Sequence, residues 1–198
     1  MDIDTFWLLL EESLRHSPSR SRREAFLTAR LSAHSTDSIV QFHLHLDRTC
    51  AQAYTWDLWG AAVRIFGGRC SDDGFEYFRL WLIGRGREVF EQAVAEPDSL
   101  AGSPEIQRLG GRHPRTWDND EEWPEWESLD YIASRAFPSA TGDEDDGEDA
   151  FYEALETQHS TTAFAADPAG ERWDAREEAV ARIKVPGLAA LFPLPSLS

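Results

Sequence analysis

The chain has 198 residues, a formal net charge of −17, 41% apolar residues and 12% aromatic residues. That is enough apolar material for a real core and excludes a chain that is disordered throughout. The acidic balance argues against nucleic acid and anionic lipid as partners. No apolar run nears the ~20 residues of a membrane span.

Residues 3–14 predict the first helix, with Ile3, Phe6, Trp7, Leu10 and Leu14 on one face. Its apolar run follows Asp2 and Asp4 rather than a basic segment, unlike a signal peptide, so a cytoplasmic location is expected. Ser17-Pro18 ends it. Ser21-Arg22-Arg23-Glu24 has the form of a capping box and predicts a second helix to about His34. A third starts near Ser35 or Thr36 and buries Ile39, Phe42, Leu46, Cys50 and Ala53. Residues 55–66 are apolar nearly all round, which marks a central helix. In it, Gly60-Ala61-Ala62 offers a flat side for close approach. Gly67-Gly68 stops it, and residues 73–83 and 87–95 predict two further helices.

After residue 100 the acidic excess rises. Residues 101–127, with Gly110-Gly111, Trp117, Trp123 and Trp126, read as an extended arm. That arm either wraps the first unit, folds onto the basic strip Arg15, Arg20, Arg22, Arg23 and Arg30, or offers a recognition surface to a basic partner. Short helices are expected at 128–137 and around Phe151, separated by a charged linker at 139–149. Asp167-Pro168 predicts the start of a helix that ends at Pro186-Gly187. The apolar tail, with Leu188, Leu191, Phe192 and Leu194, should dock on the core. The expected fold is mostly α: a compact multi-helix bundle with a loop-rich acidic C-terminal extension. Residues 1–100 would be the helical core unit, and 101–198 a wrapping extension packed on it as one domain.

Several stretches match a known family: Phe6-Trp7, the Trp56-Asp57-Leu58-Trp59-Gly60-Ala61-Ala62 run, Gly67-Gly68, Cys70-Ser71-Asp72-Asp73-Gly74-Phe75, Tyr77-Phe78-Arg79, Trp81-Leu82-Ile83 and Gly84-Arg85-Gly86. Together they resemble the bacterial domain-of-unknown-function family 4240. The resemblance covers roughly residues 1–135, with its core signature at 54–90, and implies one compact bacterial domain and no particular activity.

The turn at 67–74 is the candidate site. Either Ser71 or Asp73 caps the following helix, and the spare carboxylate, Asp72 or Asp73, could face a groove. Arg79 and Arg85 could then orient an anionic or polar ligand. Two carboxylates beside Cys70 oppose its ionisation, so an inert thiol is expected. His43 and His45 point about 200° apart on a helix and cannot share one ion. His43 and Asp47 do share a face, and a hydrogen-bonded rim pair is expected there rather than a metal site. Asp47, Trp59, Trp123 and Trp126 complete the candidate binding residues.

No phosphate loop, dinucleotide fingerprint, zinc cysteine set or nucleophile elbow occurs. The expected function is therefore a non-catalytic binding module for a small polar ligand or a basic protein, such as an adaptor or an antitoxin-like partner. The cofactor is undefined and no metal is expected. The alternative is an enzyme using His43, Asp72 and Asp73 with Arg79, including metal-assisted hydrolysis.

Overall fold

The computed structural model describes residues 1–117, 121–142, 147–158 and 167–194. Its regular elements are α1 (Ile3–His16), α2 (Arg20–Leu31), α3 (Thr36–Gln52), α4 (Trp56–Ile65), α5 (Asp72–Ile83), α6 (Arg87–Ala95), α7 (Pro104–Leu109), α8 (Ile132–Thr141), α9 (Gly147–Gln158), α10 (Glu178–Lys184) and α11 (Pro186–Leu191). Short 3-10 turns lie at Pro97–Gly102, Pro114–Thr116 and Glu127–Leu129. The fold is all-α, and the one extended pairing among the described residues is an isolated parallel bridge between Thr55 and Ala169.

The chain divides into two compact units that interleave along the sequence. The first takes residues 1–51, 80–87 and 126–165, the second 52–79, 88–125 and 166–198. Each therefore draws on both sides of residue 100.

The first unit is built from long amphipathic helices. Asp2 caps α1 by accepting from the Thr5 N–H at 2.8 Å. The buried face of α1 includes Phe6, Leu9 and Leu10, and Phe6 packs against Phe42 of α3 with ring centroids 5.1 Å apart. Helix α2 lies against α1 and α8, and α8 against α9. The predicted capping box at Ser21 does not form. Helix α2 begins two residues earlier, after Ser19, and Glu24 instead accepts from the Trp126 indole N–H at 2.9 Å and from the Ser128 hydroxyl.

Trp126 is the anchor of this unit and is only 2% exposed. The Arg23 guanidinium lies 4.4 Å from its ring centroid. Arg23 also donates to Ser13 Oγ at 3.1 Å and to the Gly84 carbonyl at 2.6 Å. A Cβ on Gly84 would fall 2.5 Å from the Trp126 ring, so a glycine there is a packing requirement.

The second unit is built from shorter pieces held by distant side chains. Thr55 caps α4, accepting from the Leu58 N–H at 3.1 Å. The helix ends at a double glycine with φ of 71° and 97° at Gly67 and Gly68, a left-handed backbone that favours residues without a Cβ. Arg64 is completely buried. It donates to Glu178 at 2.9 Å and to the carbonyls of Ala175 at 3.3 Å, Ala189 at 3.3 Å and Phe192 at 2.8 Å. The last two are carbonyls at the end of α11. The start of α11 is capped by Asp98, which accepts from the N–H groups of Gly187 and Leu188, each at 2.9 Å. A six-residue helix cannot stand alone in water; here Asp98 takes its first free N–H groups, and Arg64 and the Gly111 N–H take carbonyls at its end.

Two local expectations fail in this unit. Asp167-Pro168 does not start a helix: residues 167–177 run without regular helix to α10. Ala169 instead exchanges backbone hydrogen bonds with Tyr54 and Trp56, each at 2.9 Å, and this pairing excludes the helical conformation that the cap and proline favour. Nor is 101–127 wholly extended, because α7 lies within it. Part of the charged linker at 139–149 lies outside the described residues, as does part of the acidic arm.

Candidate functional site

The start of α5 forms in one of the two registers that the sequence allows. Ser71 is the cap, its Oγ accepting from the Gly74 N–H at 3.0 Å. Asp72 and Asp73 therefore occupy the first turn, where the helix dipole favours negative charge.

This turn lines a groove of about 920 Å³ that lies within the second unit. One wall is α4, with Trp56, Trp59 and Gly60; the second is the turn from Gly68 to Asp72; the third is the segment from Asp167 to Arg176. The bridge between Thr55 and Ala169 fixes the third wall to the first. Trp173 seals the junction: its indole fills the space where a Cβ on Gly60 would sit, and its N–H donates to Asp57 at 2.8 Å. The flat side predicted at Gly60 thus receives an indole rather than a helix.

The aromatic wall is a stacked column. Trp56 and Trp59 lie 5.5 Å apart at 18°, and Trp59 and Phe75 lie 4.7 Å apart at 19°. Arg172 closes one end, 4.8 Å over Trp56, and Arg79 closes the other, 5.2 Å from Phe75 and 5.0 Å from Tyr54. Arginine on an aromatic face is held by charge–quadrupole attraction, which strengthens where water is excluded. Arg69, Arg172 and Arg176 bring positive charge to the lining, and Asp72, Asp167 and Asp174 bring negative charge. Asp174 is engaged by Arg176, which donates from its backbone at 2.9 Å and from Nε at 3.1 Å. Those bonds, the side-chain one foremost, hold the Asp174 carboxyl below the usual range.

Cys70 also lines the groove, and its thiol is pushed up to about 12. Burial is the main cause, with the charges of Glu125 and Asp72 adding to it. The thiolate that nucleophilic chemistry requires is absent near neutral pH.

The remaining predicted residues fall in different places. Trp59 and Asp72 line the groove, and Asp73 is exposed beside it on the same turn. Arg79 belongs to the column rather than to the lining. Trp123 sits in the same unit, 4.8 Å from Trp117 and 6.0 Å from Phe66, and the nearby arm is pinned where Arg112 grips Glu122 with two hydrogen bonds at 2.8 and 2.9 Å. His43, Asp47, Arg85 and Trp126 belong to the first unit. The predicted constellation of His43 with Asp72, Asp73 and Arg79 is thus assembled within neither unit. Trp126 is core, so it offers no recognition surface, and Arg23, placed in the predicted basic strip, is buried beneath it.

His43 and Asp47 instead meet a residue not singled out in the sequence, Asp130. One ligand atom from each lies within 4.8 Å of the others. His43 Nε2 is 3.7 Å from Asp47 Oδ1, longer than the hydrogen bond expected of a rim pair. Burial pushes the Asp130 carboxyl up; the proximity of His43 opposes this and that of Asp47 adds to it. No sequence signal connects positions 43 and 130, since their proximity is created by α3 and the turn before α8. Arg172 and Trp173 were also missed, because the segment carrying them reads as helix.

The geometry is that of an all-α protein with an amphipathic, arginine-flanked groove. The chain belongs to the family described as protein of unknown function DUF4240, whose profile matches residues 1–139. No curated protein and no solved structure matches it. The matched region includes the α4 wall and the 68–72 turn but not the 167–176 wall. Among the described residues, no helix is long and apolar enough to cross a membrane.

Proposed function

We propose that the protein is a small-ligand binding module whose groove takes a planar, negatively charged molecule. The column from Arg172 through Trp56 and Trp59 to Phe75 and Arg79 is the observation that carries this reading. A planar ligand can pack against the indoles of Trp56 and Trp59 that line the groove, and guanidinium groups recognise carboxylate or phosphate by paired hydrogen bonds. The groove's volume lies in the range typical of small-molecule sites. Its thiol is protonated at neutral pH, and no imidazole lines it among the described residues, which supports binding over turnover. The protein-partner reading retains the acidic net charge as its support, since Trp126 is buried.

The test is thermal denaturation with adenosine monophosphate and an aromatic monocarboxylate, each against its uncharged counterpart. A ligand selective for the native state raises the midpoint by mass action. The charged planar probes should raise it saturably, the uncharged ones less, and Arg172→Gln should remove the difference. Arg172 is exposed, so that change spares the core. Equal shifts for charged and uncharged probes, or no shift with any of them, defeats the proposal.

A further inference from the structure

We propose that His43, Asp47 and Asp130 form a binding site for a divalent first-row metal ion, with zinc as the probe ion. The site lies in the first unit and is independent of the groove. His43 and Asp47 come from successive turns of α3, and Asp130 follows the 3-10 turn Glu127–Leu129. This brings one imidazole and two carboxylates together from segments more than eighty residues apart, with their ligand atoms within 4.8 Å of one another.

Two observations point to a ligand rather than to a self-satisfied polar cluster. The His43 side chain is nine-tenths buried, yet the 3.7 Å gap between its Nε2 and Asp47 is too long for a hydrogen bond. Its Nδ1 is also buried without a partner. A buried ring nitrogen without a partner is costly. An ion at Nε2 would supply the bond that Asp47 does not make to it, and Nδ1 would then be the nitrogen that carries the outer hydrogen bond of a metal-bound histidine. Zinc bonds of about 2.0–2.1 Å put neighbouring ligand atoms on the order of 3.4 Å apart, so the cluster needs only side-chain adjustment to close. Nitrogen with carboxylate oxygen suits zinc or manganese, and three protein ligands leave a position open to water or a further ligand.

The experiment is zinc titration of the full chain by calorimetry, with cobalt absorption reporting the ligand type. The expected result is one ion per chain, bound through nitrogen and oxygen without a thiolate charge-transfer band. Affinity should fall at least tenfold in Asp130→Asn, a nearly isosteric change, and in His43→Gln. If His43→Gln does not fold, Asp130→Asn alone decides, with circular dichroism confirming its fold. Absence of zinc binding, unchanged affinity in Asp130→Asn, or a thiolate band from Cys50 or Cys70 would each overturn the proposal and leave the groove reading untouched.

Discussion

The two units reach order by different routes. The first consists largely of helices of ten to seventeen residues whose apolar faces repeat at helical spacing, so their own sequences specify most of the burial. The second includes α7, α10 and α11, of six or seven residues, too short to persist alone. There, order comes from polar side chains reaching across the unit, with Arg64 gathering the C-terminal helices and Asp98 starting the last of them. One unit is organised mainly by apolar periodicity, the other by a few specific polar contacts, so damage should spread differently through each.

Removing the central residue of each unit tests this contrast most severely. Arg64→Ala should cost about 3–5 kcal/mol, because it strips a buried cation from Glu178 and leaves three carbonyls without their donor. Trp126→Ala should cost a similar amount, about 3–5 kcal/mol, but through a cavity. The two are separable by hydrogen exchange. Arg64→Ala should lose protection at 178–192 first, whereas Trp126→Ala should lose it across α2 and α8. Loss of protection in the same order in both variants would erase the distinction.

Asp98→Ala should cost about 1 kcal/mol, as for a lost helix cap. Its effect should be confined to α11, read as faster exchange at Gly187 and Leu188.

The acid limit of the second unit should also report on Arg64. Burial pushes the Glu178 carboxyl up, but the hydrogen bond and charge of Arg64, then those of Arg182, outweigh it and hold the group below the usual carboxylate range. Such a carboxylate contributes stability above its unfolded value, and the contribution is lost as pH falls through the folded one. Glu178→Gln should therefore flatten the acid side of the stability curve, and an unchanged slope would show that the pair contributes nothing. Since the Glu178 side chain is 34% exposed, the effect should be modest.

The smallest effect concerns Cys70. With its thiol pushed up to about 12, alkylation of the native protein at pH 8 should be far slower than that of the unfolded chain. Equal rates would mean that the groove does not shield it.

Much of the first unit was legible in the sequence, because the stripes in α1 and α3 depend on spacing alone. The stop at Gly67-Gly68 was legible too, and the start of α5 was narrowed to a cap at Ser71 or Asp73, both being local backbone chemistry; the structure takes Ser71. Glu24 shows where this ends. Its position three residues after Ser21 suggests a cap, yet an indole and a hydroxyl more than a hundred residues away take its oxygen instead. Asp167-Pro168 ends the same way, its local preference overridden by pairing with Tyr54 and Trp56. The groove was half legible: Trp59 and Asp72 were marked, and Arg172 and Trp173 were hidden in a segment that reads as helix.

The sequence by itself determined the all-α class, the family and the turn that opens α5, because helical periodicity and capping act over a few residues. Only the tertiary structure decided that Arg64 lies buried among carbonyls, that Trp126 is core, and that Asp130 joins His43 and Asp47. Those outcomes depend on which distant groups meet once water is excluded, and no spacing rule along the chain encodes that.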